Sequence, residues 1–299
     1  MLGQELVNIF EMEKDFEVVA WDKEDCDITN KDEIQGQVSS LHPDILINAA
    51  AYNLVDKAEE EPEKANLLNG SAVGFLAEIA EKMGILMVHY SSDYVFRGDK
   101  KDGYTEEDTP DPQSAYAKSK FLGEQELRNN CSKFYLIRLS RLFGKVGSGE
   151  MVKKSFVDSL IDLSSKPPLS PPISPRAKQG EIPPEADPPL AEEGAKELKV
   201  IDEELSSPTY APDAARLTLQ IIKKKMPFGV YHGANSGACT WYEFAVEIFK
   251  ILSKSDIIIK PITSAEYPRP AIRPKDSILL NIKLPRQRSW QEALKEYLS

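Results

Sequence analysis

Residues 85–120 read ILMVHYSSDYVFRGDKKDGYTEEDTPDPQSAYAKSK, and this stretch decides the fold class. Its first eight residues, ILMVHYSS, form an apolar run of the kind found in buried strands. The stretch ends on Tyr116-Ala-Lys-Ser-Lys120, which opens a helical segment, YAKSKFLGEQEL (116–127). A buried strand followed by a helix is the repeating unit of a parallel sheet.

The same alternation continues on both sides of this stretch. The other strands predicted in the first half are EVVAWD (17–22), DILINAAAY (44–52) and FYLIRLS (134–140). Helices are predicted at 2–14 and 56–82. Continuous apolar strands occur where helices cover both faces of a sheet. The sequence therefore predicts an α/β protein in which residues 1–165 form a Rossmann-like, doubly wound parallel sheet.

The chain begins on a helix, whereas a doubly wound domain begins with a strand and a glycine-rich turn. Met1-Leu2-Gly3-Gln4-Glu5-Leu6 resembles the end of such a turn and the helix that follows it. We therefore expect the first strand and most of the glycine-rich turn to be missing. A start codon placed too far downstream, or a truncated gene, would have this effect.

A proline-rich insert spans residues 166–197 and contains nine of the 21 prolines. Proline lacks a backbone N–H and fixes φ, so the insert is predicted to be disordered or locally extended. A spacer is favoured over a proline-rich docking motif, which stays the alternative. Residues 198–299 follow and are predicted to form a smaller α/β substrate-binding region, from the strand LKVID (198–202) to the helix SWQEALKEYL (289–298).

The composition excludes several classes of protein. The 299 residues carry a formal charge of −11, which disfavours nucleic acid as a partner because phosphate binding needs a basic surface. No apolar run is long enough to span a membrane, and the N-terminus does not resemble a signal peptide. The three cysteines, Cys26, Cys131 and Cys239, are too few and too widely spaced for a disulfide framework or a zinc site. We expect a cytoplasmic protein without a metal.

The strongest chemical signal is the pair formed by Tyr116 and Lys120. Residues four apart lie on one face of a helix, so the ammonium lies one turn from the phenol. A phenol has a pKa near 10, and a neighbouring ammonium favours the phenolate and brings the phenol closer to working pH. A hydroxyl at the end of the preceding strand, such as that of Ser92, can hold a substrate oxygen. This spacing also occurs by chance on ordinary helices. Its combination with the preceding SSDYVF (91–96), the NAAA run (48–51) and the α/β alternation makes it specific.

The sequence resembles the extended short-chain dehydrogenase/reductases and, within them, the dTDP-4-dehydrorhamnose reductase family. The resemblance covers nearly the whole chain apart from the proline-rich insert. The segments that carry it include NAAAYNLVDKAEEEPE (48–63), VHYSSDYVFRG (88–98), YTEEDTPDPQSAYAKSKFLGE (104–124), LIRLSRLFG (136–144), SSPTYAPDAA (206–215) and YPRPAIRPKDS (267–277).

The resemblance implies a role for each residue of the catalytic group. Tyr116 would protonate the carbonyl oxygen, and Lys120 would lower the pKa of Tyr116 and bind the nicotinamide ribose. Ser92 stands where the family usually has Thr and would hold the carbonyl. Asp93 would meet the substrate.

The resemblance also implies a site for NADPH or NADH. The cofactor-binding residues would be Gly3, Asp22, Asp27, Ile28, Ala51, Tyr52, Asn53, Asn69 and Tyr90, together with Tyr116 and Lys120. An acid at Asp22 accepts a ribose 2′-hydroxyl and repels a 2′-phosphate, which favours NADH, although the family can use both. Two alternatives stay open: Asp27 as a turn or helix cap, and Asn69 as a solvent-facing polar residue.

The substrate would be a nucleotide sugar. Arg269 and Arg273 are candidates for its diphosphate, since guanidinium groups suit phosphate, with ordinary surface arginines as the alternative. Arg141 stands where reductases of the rhamnose pathway often carry Trp at the sugar site, which leaves the exact sugar open.

The predicted activity is NAD(P)H-dependent reduction of the 4-keto group of dTDP-4-dehydro-L-rhamnose to dTDP-L-rhamnose. One alternative is a non-catalytic regulatory or binding subunit, as in the reductase-like subunit of methionine adenosyltransferase. Another is a reductase or epimerase acting on a different nucleotide sugar. A homodimer is the assembly considered for this chain.

Overall fold

The computed structural model describes residues 1–147, 154–165 and 197–299. The predicted proline-rich insert (166–197) lies outside the described residues, except for Glu197, which begins a strand. The domain limits at 165 and 198 stay a prediction.

The central sheet has four parallel strands in the order β1-β2-β3-β7. These strands are β1 (Ile45–Asn48), β2 (Leu86–Ser92), β3 (Phe134–Leu139) and β7 (Gly229–His232). In the register, Asn48 lies beside His89, and Ser92 lies beside Leu139. The carboxyl ends of β1, β2 and β3 therefore meet along one edge of the sheet.

Helices cover both faces of this sheet. In chain order the α-helices are α1 (Leu2–Glu11), α2 (Lys31–Leu41), α3 (Lys57–Glu60), α4 (Pro62–Asn66), α5 (Ala72–Met83), α6 (Ala115–Asn130), α7 (Phe156–Ser165), α8 (Ala211–Lys223), α9 (Trp241–Ile251) and α10 (Trp290–Leu298). Alternate residues of the strands face opposite layers: Val88 and Tyr90 pack with α1 and α8, whereas Met87 packs with α2, α5 and α6. The predicted doubly wound α/β architecture is confirmed.

The strand predicted at 17–22 is wrong. These residues are assigned to no strand, and Val19 and Asp22 are exposed. A strand needs a neighbour whose backbone N–H and C=O groups complete its ladder, and within the described chain no segment pairs with 17–22. β1 is correspondingly at the sheet edge, with Ile45 and Ile47 only half-buried.

The long helix predicted at 56–82 is divided into four pieces. A break at Glu61 separates α3 from α4, and a π-helical turn (Leu67–Ser71) separates α4 from α5. α6 packs tightly against this π turn, because a Cβ on Gly123 would lie 2.1 Å from the carbonyl oxygen of Asn69. The π turn therefore brings Asn69 directly against the helix that carries Tyr116.

The second half of the chain contributes to both parts of the molecule. α8 and β7 complete the central sheet layer. Two further parallel pairs join β4 (Leu142–Phe143) to β6 (Thr209–Tyr210) and β5 (Glu197–Ile201) to β8 (Ile258–Ile262). A separate apolar core of Trp241, Phe244 and Trp290 holds α7, α9 and α10 to these strands. A second, smaller group of parallel strands and helices therefore lies beside the central sheet.

Candidate active site

The first turns of α6 bury both residues of the predicted catalytic pair. The Ser114 side chain caps the helix by accepting from the Ala117 backbone N–H at 3.2 Å. Tyr116 is buried, and the Lys120 ammonium donates to the Tyr90 carbonyl at 2.7 Å. Burial lowers the pKa of Lys120 to about 8. The helix thus holds a desolvated amine one turn from the phenol.

Ser92 ends β2 and lies close to the same helix. It caps a short 3₁₀ turn (Asp93–Val95) by accepting from the Tyr94 backbone N–H at 3.2 Å. The Tyr94 ring packs edge-on against the Tyr116 ring, with 5.7 Å between the centroids. The structure therefore brings Ser92, Tyr116 and Lys120 to the carboxyl end of β2.

Asp93 is surrounded by hydroxyl groups of this chain. It is 2% exposed and accepts from Ser92 Oγ at 3.0 Å, Ser140 Oγ at 2.8 Å and Ser277 Oγ at 2.6 Å. Burial raises the pKa of the Asp93 carboxyl, and the three hydrogen bonds and the Arg141 charge oppose this rise. In this structure Asp93 is directed at serines and is withdrawn from solvent.

Asn69 holds the loop after β1 against α6. Its Oδ1 accepts from the Tyr52 N–H at 2.8 Å, and its Nδ2 donates to the Tyr52 carbonyl at 3.0 Å and to Ser119 Oγ at 2.9 Å. Asn69 is 1% exposed, so the alternative that it faces solvent is wrong. Tyr52 packs in one apolar cluster with Tyr116. Asn69 and Tyr52 therefore both lie beside α6, the helix that carries Tyr116 and Lys120.

The remaining residues predicted near the dinucleotide are more loosely held. Gly3, in the first turn of α1, is exposed, and a Cβ there would meet Ala49 at 3.9 Å. This contact places the N-terminus of α1 at the carboxyl end of β1. Ala51 is half-buried, and Asn53 is exposed. Together they line the same edge of the sheet as the catalytic group.

Tyr90 contributes its backbone to the site, since its carbonyl holds Lys120. Its side chain points to the opposite face of the sheet, where its hydroxyl lies 2.7 Å from Thr218 Oγ1. That hydroxyl is buried, which raises the pKa of Tyr90.

Asp22, Asp27 and Ile28, three of the predicted cofactor-binding residues, lie in local turns. Asp22 is exposed, and its carboxylate accepts from the backbone N–H groups of Glu24 and Asp25. Asp27 accepts from both the N–H and the hydroxyl of Thr29, which lowers its pKa. These bonds match the turn alternative for Asp27, while Asn30 caps α2. Ile28, half-buried, packs with the α2–α5 core.

The candidate substrate arginines are engaged within the protein. Arg269 forms an ion pair with Glu204, and Arg273 donates hydrogen bonds to both carboxylate oxygens of Asp56. Arg141 donates to the carbonyls of Cys239 and Glu204, and its guanidinium lies 4.0 Å from the Trp241 ring. Ordinary surface arginines, the stated alternative, do not describe Arg269 or Arg273, since both side chains are almost fully buried.

Two parts of the site were missed by the sequence analysis. One is the buried pair of Glu124 and Arg138, which carry two hydrogen bonds of 2.8 and 2.7 Å. Glu124 lies one turn beyond Lys120, so helical spacing could have indicated it. The other is the convergence on Asp93, which joins Ser277 to Asp93 across 184 positions of sequence. No local pattern could have indicated that contact.

Among the described residues, no group of three or more His, Cys, Asp or Glu side chains could bind a metal ion. In the same part of the chain, every helix is too short or too polar to cross a membrane.

Comparison with known proteins identifies the family. The family model described as the RmlD substrate binding domain matches residues 1–168 and 189–299. The spore coat polysaccharide biosynthesis protein SpsK of Bacillus subtilis is 33% identical over 95% of this chain and 88% of that protein. A dTDP-4-dehydrorhamnose reductase of Aggregatibacter actinomycetemcomitans is 33% identical over 98% of this chain and 94% of that protein.

A solved structure has the same fold. The crystal structure of dTDP-4-dehydrorhamnose reductase from Bacillus anthracis, in complex with NADP, is 30% identical and superposes with a TM-score of 0.82. The match covers 99% of this chain and 94% of the Bacillus anthracis chain. The family model and these relatives confirm the resemblance seen in the sequence: the chain belongs to the RmlD substrate binding domain family.

Proposed function

We propose that this protein is an NAD(P)H-dependent reductase of a nucleotide sugar, converting dTDP-4-dehydro-L-rhamnose to dTDP-L-rhamnose. The observation that carries the proposal is the placement of Tyr116 and Lys120 on one buried face of α6, beside Ser92 at the end of β2. The names of the relatives from Aggregatibacter actinomycetemcomitans and Bacillus anthracis support the same reaction.

The residues present fit a nicotinamide dinucleotide. Among the described contacts, the Lys120 ammonium uses one of its three donors, on the Tyr90 carbonyl, and the others suit ribose hydroxyls. Gly3 presents no side chain where α1 begins beside Ala49, and a helix N-terminus attracts phosphate. Asp22 would favour NADH through a ribose hydroxyl, while the Bacillus anthracis relative binds NADP, so the proposal covers both.

The side chains then divide the reaction. Once bound, the reduced nicotinamide supplies the hydride that the 4-keto carbon accepts. Tyr116 gives its phenolic proton to the ketone oxygen, which becomes the new hydroxyl. The Lys120 ammonium stabilises the phenolate that remains, and the Ser92 hydroxyl holds the ketone oxygen in place. The buried setting strengthens each of these interactions, because little water screens them.

Arg141, Arg269 and Arg273 are proposed to bind the nucleotide sugar, although each already has partners. A diphosphate bound by Arg269 or Arg273 would share the guanidinium, which has five N–H donors, with Glu204 or Asp56, respectively. Arg141 is held by two carbonyls and the Trp241 ring, so it offers a fixed cation at the sugar site.

The test is an assay of purified protein with dTDP-4-dehydro-L-rhamnose and either NADPH or NADH, following loss of the reduced cofactor. Wild type is expected to turn over, and Tyr116→Phe to lose about 10²- to 10⁴-fold in rate while it binds the cofactor as well as wild type does. Unchanged activity in Tyr116→Phe would overturn the mechanism. Cofactor binding without turnover would favour the non-catalytic alternative.

Two further expectations belong to this proposal. A cytoplasmic location is compatible with Cys26, Cys131 and Cys239, all of which are free and buried. A homodimer is the proposed assembly, and sedimentation of the purified protein would measure it.

A further inference from the structure

Arg141 differs from the other two candidate arginines in what surrounds its charge. The carboxylate of Glu204 pairs with Arg269. The carboxylate of Asp56 pairs with Arg273. The Arg141 guanidinium lies instead against two backbone carbonyls and an aromatic ring. Within the described part of the chain, no carboxylate lies at ion-pair distance from it. Its charge is therefore partly withdrawn from water without a counter-ion in direct contact.

Three contacts fix the Arg141 guanidinium in position. Nη1 donates to the Cys239 carbonyl at 2.9 Å, and Nη2 donates to the Glu204 carbonyl. The guanidinium carbon lies 4.0 Å from the centre of the Trp241 ring. A guanidinium has five N–H donors, so these contacts hold the group and leave other donors for a ligand. Arg141 is half-buried, and a ligand that enters from solvent can reach it.

The backbone of Arg141 has a conformation that few residues with a side chain adopt. Its φ is 42°, in the left-handed region, where a Cβ is strained. At this position the chain leaves β3 and enters β4, and the Arg141 carbonyl accepts from the Thr209 N–H at 3.2 Å. Glycine would relieve the strain, yet the position carries a long charged side chain. Strain of this kind is typical of binding sites.

Arg141 lies close to the catalytic end of β2. Ser92 pairs in register with Leu139, two residues before Arg141, and neighbouring strands lie about 4.8 Å apart. The adjacent Ser140 hydroxyl donates to Asp93 at 2.8 Å, and the Arg141 charge opposes the rise in the pKa of Asp93. In the proposed substrate, the keto group and the phosphate ester lie on opposite sides of one pyranose ring. A cation this close to Ser92 is therefore placed to meet that phosphate.

We propose that Arg141 binds the sugar-linked phosphate of the nucleotide sugar, so that its charge recognises the diphosphate and not the sugar hydroxyls. The inference rests on the proposed function and names the part of the substrate that Arg141 takes. A guanidinium suits phosphate because two of its N–H groups can donate to two phosphate oxygens. The carbonyls of Cys239 and Glu204 hold the cation in place before substrate arrives, so little conformational freedom is lost on binding.

The test measures the binding of dTDP and dTMP to the purified protein by isothermal titration calorimetry, without turnover. dTDP carries the phosphate that is linked to the sugar in the substrate, and dTMP lacks it. Arg141→Gln keeps an amide donor and removes the charge. It is expected to weaken dTDP binding about 10- to 100-fold, as the loss of a hydrogen bond to a charged group does, and to leave dTMP binding unchanged. Arg141→Lys, which keeps the charge, is expected to recover part of the lost affinity.

The matched control is Arg286→Gln, at an exposed position, which should leave both affinities at their wild-type values. An equal loss of dTDP and dTMP binding in Arg141→Gln would overturn the inference in favour of a structural role. Unchanged dTDP binding together with weaker binding of dTDP-L-rhamnose would overturn it in favour of contact with the sugar.

The same measurements separate this inference from the proposed function. Failure of the wild-type protein to bind dTDP or dTMP would overturn the nucleotide-sugar function and this inference together. Wild-type binding of dTDP that is equally strong in Arg141→Gln would overturn the inference alone. The affinity for dTMP serves in each variant as the measure of an intact nucleotide site.

Discussion

The catalytic end of α6 and the turn region 22–29 are built in opposite ways. Around α6, the side chains are buried and their partners are distant in sequence: Lys120 bonds to Tyr90, and Asp93 bonds to Ser277. In the turn region, Asp22 and Asp27 bond to groups two or three positions away and stay at or near the surface.

This difference predicts different responses to mutation. A local turn re-forms around a changed side chain, because its partners are neighbours along the chain. A buried group with distant partners leaves an unsatisfied atom or charge behind when one partner is removed. Changes near α6 should therefore lower both stability and activity. Changes at 22–29 should alter cofactor binding and leave stability nearly unchanged.

The largest effect is expected at the Glu124–Arg138 pair beneath the catalytic lysine. Both side chains are almost completely buried, and Arg138 Nη1 has no hydrogen-bond partner among the described residues. Glu124→Gln would leave the guanidinium charge uncompensated, and the free energy of unfolding should fall by about 3–5 kcal/mol. Urea denaturation would measure this loss.

The control for this change is Glu60→Gln, at an exposed position of α3. It should change the free energy of unfolding by no more than about 0.5 kcal/mol. Equal, small changes in the free energy of unfolding for Glu124→Gln and Glu60→Gln would contradict the claim that buried partners near α6 matter more than surface groups.

The next largest effect on the free energy of unfolding is expected at Lys120, and the size of this effect depends on pH. Its pKa is about 8 in the folded protein, against an ordinary value of 10.5. Below pH 8 both states carry the charge, and the folded state bears the cost of burying it. Between about pH 8 and 10.5 the unfolded chain binds a proton that the folded chain lacks, so stability rises with pH, by up to about 3 kcal/mol.

Lys120→Met should remove this contribution. The difference in unfolding free energy between wild type and Lys120→Met, measured by urea denaturation at pH 7, 8.5 and 10, should change in favour of wild type as pH increases. Lys118→Met, at an exposed position of the same helix, should give a difference that stays flat. A flat difference for Lys120→Met as well would mean that burial does not lower its pKa.

A smaller effect is expected where the C-terminal half closes over Tyr116. Asp56 accepts from Arg273 and from the Ala271 N–H at 3.0 Å, and Ala271 packs in the same apolar cluster as Tyr116. Asp56→Asn removes the charge from this contact and should lower the free energy of unfolding by about 2 kcal/mol. It should also raise KM for the nucleotide sugar, since the segment beside Tyr116 would be less firmly held.

The matched control is Asp111→Asn, which weakens an exposed ion pair with Arg97. Exposed pairs contribute about 0–1 kcal/mol, so this variant should stay close to wild type in both stability and KM. If Asp56→Asn behaved like Asp111→Asn, the contact at Arg273 would have no special importance for the cleft.

The same contrast explains what the sequence could predict. Tyr116 and Lys120 could be predicted as a pair because one helical turn separates them. The strands β2 and β3 could be predicted because their apolar runs are continuous. Asp93 was predicted to touch the substrate, but its bonds to Ser140 and Ser277 depend on how distant strands and loops meet. Sequence neighbours do not contain that information.

Residues 17–22 show the converse limit. Their composition suits a strand, yet a strand exists only when a partner completes its hydrogen bonds, and composition does not report the partner. The π turn at 67–71 is a similar case. Its backbone shift accommodates the close approach of Gly123 to Asn69, a contact between two helices that helical periodicity cannot reveal.

The smallest effect on stability, and the sharpest test of the turn region, is expected for Asp22→Asn. The asparagine carbonyl can still accept from the Glu24 N–H, which Asp22 binds at 2.8 Å, so the free energy of unfolding should change by less than about 0.5 kcal/mol. If Asp22 lies beside the adenosine ribose, loss of its charge removes repulsion of a 2′-phosphate. The ratio of kcat/KM for NADPH to that for NADH should then rise about five-fold, the value of one charge contact in water.

Glu24→Gln, in the same exposed turn, should leave the ratio unchanged. An equal shift in both variants would reduce the effect to the general charge of the turn, and no shift in either would place Asp22 away from the ribose.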